Sequence, residues 1–338
     1  MLSASGFRVG CLASFMLLAA GCGGGDGAPP ASVDDFYRRV NALACNRSVA
    51  CAYMPDVATC LSTLQDRPDL ATLQAGVDSG KVIYDAAKAG ACLDYLKRVW
   101  STCNLSPFVP NAVADEDEEA CAEFVVGTVA AGGGCFLAEE CASRNCQQAD
   151  PACFRLRQCC PGTCVAPPEP TPVGGDCSAA QNCVAGSYCV IPPGATTHTC
   201  EVPSTTRGTP CTETLQCASP LYCDLDLTTG TAVTGTCELY GTTGARCNPD
   251  VFSCEDARDY CDPATLTCTR RLGVGATCDP EQQNCLFLAW CVGTTCVARS
   301  AVGGACTPTD PPACLVGLEC ATQTNTCAFF AADDGPCL

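Results

Sequence analysis

The chain is poor in the groups most enzymes use. It carries one histidine, His198, in 338 residues, so imidazole-pair catalysis near neutral pH and His-rich metal sites are excluded. Aromatic residues reach only 6%, and the 47% hydrophobic fraction is swollen by alanine and cysteine, so a single large apolar core is not expected. No Gly-x-Ser-x-Gly elbow occurs, and no phosphate-cradling glycine loop follows a strand pattern; Gly132-Gly-Gly134 reads as linker. No Cys-x-x-Cys occurs either, which removes the usual zinc-ligand pair and the thioredoxin-type redox site. Positive charge is scarce: 18 Lys and Arg stand against 36 acidic residues, for a net charge of −18. Nucleic acid and anionic headgroups are therefore repelled. No cofactor and no catalytic residue is expected.

What is abundant is cysteine, with 36 residues. A chain above about 8–10% Cys reads as a disulfide scaffold, which implies an oxidising compartment. The N-terminus agrees with export. Arg8 precedes the uncharged run Val9–Gly21, whose 13 residues are too few to span ~30 Å of hydrocarbon as a helix but suit the apolar region of a secretory signal. Leu17-Leu-Ala-Ala-Gly-Cys22 resembles a bacterial lipobox, with Ala19 where Leu is usual. That resemblance implies a signal peptide over 1–21, a lipid anchor on Cys22 and, with Gly23 next to it, an outer-membrane or cell-surface address. Residues 22–31, rich in Gly and Pro, are expected to form a flexible tether. Setting aside Cys11 and Cys22 leaves 34 cysteines, an even number that allows complete pairing.

Residues 32–127 hold only six of these, Cys45, Cys51, Cys60, Cys92, Cys103 and Cys121, and their apolar spacing is helical. Ser32 is placed to cap a first helix, with Asp34 and Asp35 in its first turn and Val33, Phe36, Val40, Leu43 and Ala44 on one face. Ala89, Cys92, Leu93, Leu96, Val99, Trp100 and Cys103 form a second stripe. Cys92 and Cys103 are about 16 Å apart along a helix, beyond the ~7 Å bridging limit, so each must pair with another element. A last helix is expected to start in Asp115–Glu119 and to bury Cys121, Phe124 and Val125.

From Gly132 the period changes. Five units share a plan of Gly, two residues, then four cysteines: Cys177, Cys183, Cys189, Cys200; Cys211, Cys217, Cys223, Cys237; Cys247, Cys254, Cys261, Cys268; Cys278, Cys285, Cys291, Cys296; and Cys306, Cys314, Cys320, Cys327. The leading Gly174, Gly208, Gly244, Gly275 and Gly303 predict turns with positive φ. Tyr188, Tyr222, Tyr260 and Trp290 precede the third cysteine, with Glu319 the exception; they are expected to lie over the disulfides, since so small a unit has little other core. Four cysteines permit three connectivities, and all three remain open. Cys337 reads as the first cysteine of a truncated sixth unit. A Pro-rich linker over 166–173 separates the array from a divergent unit at 132–165, which contains Cys135, Cys141, Cys146 and Cys153, extended by Cys159-Cys160-Pro-Gly-Thr-Cys164.

The spacing Cys135-x5-Cys141-x4-Cys146 with Cys159-Cys160-Pro-Gly-Thr-Cys164 resembles the Dickkopf N-terminal cysteine-rich domain, and the later units look like shortened versions. The resemblance covers roughly residues 132–337 and implies a disulfide module, not the signalling activity of animal Dickkopf proteins. The full layout, including Gly80-Lys-Val-Ile-Tyr-Asp85, is similar to that of a group of bacterial cell-surface lipoproteins.

The expected fold is thus a set of small disulfide-rich modules: an N-terminal disulfide-stapled α-helical domain, then tandem cysteine-rich beads of short β-hairpins and loops. His198, within Ile191–His198, is expected to be an exposed loop residue, and Asp224-Leu-Asp226 lacks the ligand ladder of a calcium loop. The composition favours a non-catalytic surface scaffold, an elongated rod presenting loops such as Leu225–Thr236 to a protein or glycan partner. A secreted-protease inhibitor is the alternative, with an enzyme or thiolate metal store behind it. Intact mass under non-reducing conditions is expected to show 34 missing hydrogens, no metal and a diacylglycerol increment on Cys22; free thiols holding metal would overturn this reading.

Overall fold

Local signals set the helices of the N-terminal module. In the computed structural model, residues 28–64, 68–104, 121–149, 160–167, 169–178, 182–192, 196–226, 234–251, 253–307, 313–316 and 318–328 are described. Helix α1 (Val33–Ala50) starts where Ser32 Oγ accepts from the Asp35 N–H at 3.1 Å, with Asp34 and Asp35 in the positive first turn. Asp56 caps α2 (Val57–Thr63). α3 spans Pro68–Asp78, and Asp85 caps α4 (Ala86–Val99) through the Ala87 and Lys88 N–H groups. Val33, Phe36, Ala89, Cys92 and Leu93 pack in one core with Leu73, Val82, Phe124 and Val125, and the rings of Phe36 and Phe124 lie 4.3 Å apart.

Three expectations for this module need correction. The chain is already packed from Ala28, so a tether over 22–31 is too long. Pro30 is fully buried, the Tyr84 hydroxyl donates to its carbonyl at 3.0 Å, and Arg39 holds the Ala28 carbonyl at 2.7 Å. Val125 belongs to a strand, not to a last helix. β1 (Val82–Tyr84) pairs antiparallel with β2 (Val125–Gly127), burying Val82 and Val125 on one face and leaving Ile83 and Val126 on the other. Asp115–Glu119 lies outside the described residues. Cys103 lies beyond α4, which ends at Val99. The demand that Cys92 and Cys103 find separate partners holds: the bridges are Cys45–Cys60, Cys51–Cys103 and Cys92–Cys121.

Six beads follow: bead 1 (132–164), bead 2 (174–200), bead 3 (208–237), bead 4 (244–268), bead 5 (275–296) and bead 6 (303–327). Each centres on a two-stranded antiparallel pair. In bead 1, β3 (Gly134–Cys135), β4 (Cys146–Gln148) and β5 (Gly162–Cys164) form a sheet in the order β3-β5-β4. Bead 2 pairs β6 (Tyr188–Val190) with β7 (Thr199–Glu201). In bead 3, β8 (Pro210–Cys211) adds to β9 (Leu221–Asp226) and β10 (Thr234–Leu239). β11 (Asp259–Asp262) with β12 (Thr267–Arg270), β13 (Ala289–Val292) with β14 (Thr295–Ala298), and β15 (Glu319–Ala321) with β16 (Thr326–Ala328) make beads 4, 5 and 6.

The connectivity is first to third and second to fourth in every regular unit: Cys177–Cys189 and Cys183–Cys200, Cys211–Cys223 and Cys217–Cys237, Cys247–Cys261 and Cys254–Cys268, Cys278–Cys291 and Cys285–Cys296, Cys306–Cys320 and Cys314–Cys327. Third and fourth cysteines face each other across the hairpin, as in Cys291↔Cys296, yet bond away from each other. Bead 1 obeys the same plan with Cys135–Cys146 and Cys141–Cys164. Its fourth cysteine is therefore Cys164, not Cys153, because only Cys164 lies opposite Cys146 in the sheet. Cys160 is buried and disulfide-bonded, whereas Cys11, Cys22, Cys153, Cys159 and Cys337 lie outside the described residues.

Four backbone hydrogen bonds of 2.6–3.0 Å recur in all six beads. In bead 5, Gly275 N–H donates to the Cys296 carbonyl and Cys296 N–H to Ala276, closing the opening turn onto the last strand. Leu272 N–H donates to Asn284 and Leu286 N–H to Leu272, clamping the preceding linker beside the second cysteine. The same clamp at Thr171 in bead 2 means that the 166–173 linker ends inside the bead. The turn glycines have positive φ, as expected; Gly275 has φ +84° with open space around an added Cβ. Gly127 differs, since a Cβ there would lie 2.3 Å from the Cys141 carbonyl oxygen. Gly275→Ala is accordingly expected to cost about 1 kcal/mol of backbone strain, and Gly127→Ala more, about 2–4 kcal/mol, since backbone must move. Denaturant unfolding with disulfides intact measures both, and equal effects would contradict the assignment.

Candidate functional site

The sulfur pairs take the place of a core in each bead. In bead 3, Cys211, Cys217, Cys223 and Cys237 are 0–1% exposed and pack with Leu221. In beads 1 to 5 the sulfurs of three cysteines, as in Cys278, Cys285 and Cys291, lie within 4.8 Å of one another, a spacing that suits a metal. They are disulfide sulfurs here, and a thiolate is the form that ligates. The proximity is that of two bridges lying side by side.

In beads 1, 3, 4 and 5 the bridges are joined by a buried polar plug that spacing alone does not reveal. The residue before the second cysteine turns inward and accepts from the N–H that follows the first cysteine. Glu140 does so from Phe136 at 2.6 Å, Gln216 from Thr212 at 2.5 Å, Ser253 from Asn248 at 3.0 Å and Asn284 from Asp279 at 3.3 Å. All four are buried. The sequence signal is a polar residue directly before the second cysteine of the unit, with Asn182 keeping it in bead 2 and Ala313 breaking it in bead 6.

The aromatic residues before the third cysteines do not cover the disulfides. Adjacent strand residues point to opposite faces, so a side chain next to a bridging cysteine is aimed away from the sulfurs, and Tyr222 and Tyr260 turn toward the junction with the next bead. Tyr222 is buried against Tyr240 of the following linker, with ring centroids 4.8 Å apart; burial and the nearby Asp224 carboxylate raise its pKa well above the usual phenol value. Tyr260 faces the guanidinium of Arg271 at 5.8 Å. Arg271 and Arg299, each three residues after a fourth cysteine, tie beads together. Arg271 Nη1 donates to the Gln283 and Cys285 carbonyls at 3.2 and 3.3 Å, and Arg299 to Ala289 and Cys314 at 3.3 Å each.

The array does not run on as a straight rod, because beads 4, 5 and 6 return to the helical module. Each does so with the residues that follow its second cysteine. In bead 4, Ala257 N–H donates to the Cys103 carbonyl at 2.9 Å, and Asn104 Nδ2 donates to Glu255 at 2.6 Å. In bead 5, Phe287 stacks on Tyr53 at 4.6 Å between centroids, and Leu288 N–H donates to the Ala52 carbonyl at 3.2 Å. In bead 6, Leu315, 2% exposed, packs with Cys45, Met54 and Cys60. Arg271 covers the Phe287 ring at 4.6 Å; burial lowers its pKa and raises that of Tyr53. On the module side, Arg47 donates to the Thr102 and Asn104 carbonyls at 3.2 and 3.3 Å and fixes the turn that meets Asp256. One stack, one buried leucine and three hydrogen bonds across the contact amount to roughly 4–9 kcal/mol before ordering costs. The bend follows from apolar residues after Cys285 and Cys314 that a bead has no core to bury.

The remaining sequence candidates do other work. His198 is half-buried rather than exposed: its carbonyl accepts from Cys177 N–H at 3.1 Å and its own N–H donates to Ser178 Oγ at 3.2 Å, binding the bead's first cysteine to its last strand. Ser178 also bonds the Asp176 carboxylate, which with the nearby His198 lowers the Asp176 pKa. Asp224 accepts from Asn248 Nδ2 at 2.6 Å across the bead 3–bead 4 junction. Of the loop Leu225–Thr236, the ends belong to β9 and β10 and residues 227–233 lie outside the described residues.

These features define a disulfide-rich repeat array bent onto a helical module. No protein family, curated protein or solved structure matches the chain.

Asp256, at the bead 4 end of the contact, gives a pH handle. Burial raises its pKa, but hydrogen bonds from Arg258 and Arg270 outweigh that and hold it at about 2 against the ordinary 3.8. A carboxylate depressed on folding contributes stability that is present above pH ~4 and lost as pH falls through about 2. Because the two arginines are partly exposed, about 1 kcal/mol is expected. Asp256→Asn should lose about 1 kcal/mol less stability than the wild type between pH 4 and pH 2, where Asp35, also held at about 2, titrates in both, as followed by thermal unfolding.

Proposed function

We propose that this chain is a non-catalytic surface scaffold, exported, anchored by lipid at Cys22 in the outer membrane or on the cell surface, and working as a structural or protein-binding, adhesion-type array. One observation carries the reading. The crossed disulfides and four backbone hydrogen bonds are the same in all six beads, while the chain between third and fourth cysteines of the five regular units varies from 4 to 13 residues. A constant frame with variable hairpin lengths is the arrangement in which recognition resides in loops. Disulfide density supports an oxidising location, and the net charge of −18 favours a protein or glycan partner over nucleic acid. The lipobox-like Leu17–Cys22 supports the anchor. Likeness to the Dickkopf N-terminal domain rests on cysteine spacing and extends to module architecture alone. Among the described residues no helix is long and apolar enough to cross a membrane, so the proposed attachment depends on Cys22.

Cell fractionation tests this directly. The wild-type chain should remain with the envelope until detergent is added, and Cys22→Ser should lose the diacylglycerol mass and leave the envelope fraction. Release of the wild type without detergent would refute the anchor, and a secreted protease that copurifies and is slowed by the chain would replace the scaffold reading with inhibition.

A further inference from the structure

We propose that the contact between the helical module and beads 4 to 6 is a latch, which opens as one unit with the module and every bead still folded, so that the array has a bent closed form and an extended open form. This stands independently of the lipid anchor. Its first support is that each side is locked separately. Cys45–Cys60, Cys51–Cys103 and Cys92–Cys121 close within the module, and each bead closes on its own two bridges. Among the described disulfides none crosses the contact, so opening it breaks none of them. Regions held by few contacts between separately stable units open sub-globally before they unfold.

The second support is that side-chain hydrogen bonds tie the three beads to one another. Arg271 reaches from the end of bead 4 to the Cys285 carbonyl of bead 5, and Arg299 from the end of bead 5 to the Cys314 carbonyl of bead 6. Arg271 also lies on Phe287, the residue that stacks on Tyr53. Loss of the stack in bead 5 is thereby passed to its neighbours. The third support is that all three beads use one repeated position, the turn after the second cysteine: Glu255 and Ala257, Phe287 and Leu288, Leu315. Their partners, Cys45, Ala52, Tyr53, Met54, Cys60, Cys103 and Asn104, belong to one region stapled by Cys45–Cys60 and Cys51–Cys103. Opening uncovers the apolar face of Phe287, Leu288 and Leu315.

Amide hydrogen exchange on the full, disulfide-intact chain tests the latch. The Ala257 and Leu288 amides donate across the contact, whereas those of Cys268 and Cys296 donate within their beads. The expected result is that Ala257 and Leu288 exchange with equal protection and faster than Cys268 and Cys296. Phe287→Ala, which removes the stack on Tyr53 and the ring's burial on the module, should speed both cross-contact amides by about tenfold to a hundredfold and leave the within-bead pair unchanged. Leu315→Ala, in bead 6, should speed Ala257 in bead 4 by at least about tenfold. Tyr53→Phe, which keeps the stack, should change none of them, and non-reducing mass should show every bridge intact in each variant. A response confined to the substituted bead, or acceleration of all four amides together, would overturn the latch.

Discussion

The crossing of two disulfides behind each hairpin is the constraint on which the rest depends. Facing cysteines on paired strands, such as Cys223 and Cys237, bond not to each other but back to Cys211 and Cys217. The two bridges therefore close overlapping loops, of 12 and 20 residues in that bead, each removing about 3 kcal/mol of chain entropy from the unfolded state. The crossing also fixes where everything else must go. The opening glycine turns the chain so that its N–H meets the fourth cysteine, and the linker must lie beside the second. With sulfur as the core, a unit of some 30 residues needs almost no apolar side chains of its own.

That economy leaves side chains free for joining units. Strand alternation puts a tyrosine or tryptophan opposite the sulfurs, where Tyr222 packs on Tyr240 and Tyr260 meets Arg271. Phe287 and Leu315, apolar residues after the second cysteine, bury themselves on the helical module, with Phe287 against Tyr53 and Leu315 packed with Cys45, Met54 and Cys60. One bead frame, repeated, thus gives both neighbour-to-neighbour joints and a bend, depending on the residues beside its second and third cysteines.

Much of this was legible in the sequence because it is local or counted. The cap at Ser32, the stripe through Ala89, Cys92 and Leu93, the positive-φ glycines and the four-cysteine period all depend on neighbours a few residues away. The separation of Cys92 from Cys103 also sufficed to send them to different partners. What escaped depends on contacts distant in sequence. Cys164 is the fourth cysteine of bead 1 because it faces Cys146 across the sheet, which its position after Cys153 hides. β1 and β2 are three residues each and separated by α4, too short for a periodic signal. The aromatic positions were visible, but their face was misread, since the two-residue strand period places them away from the cysteine beside them. The polar plugs at Glu140, Gln216, Ser253 and Asn284 left a signal that could have been read, a buried acceptor required by the N–H after each first cysteine. The bend could have been anticipated from Phe287 in the apolar Leu286-Phe-Leu288, a ring that packs on Tyr53 of the helical module while Leu288 also packs on the bead's own sulfurs.

Partial reduction of the native chain followed by peptide mapping of the remaining bridges tells the crossed pairing from the facing one. Bead 5 should yield Cys278 joined to Cys291 and Cys285 joined to Cys296, with the same first-to-third and second-to-fourth order in beads 2, 3, 4 and 6 and with Cys141 joined to Cys164 in bead 1. Recovery of the facing pairs, Cys291 with Cys296 or Cys223 with Cys237, would contradict the account.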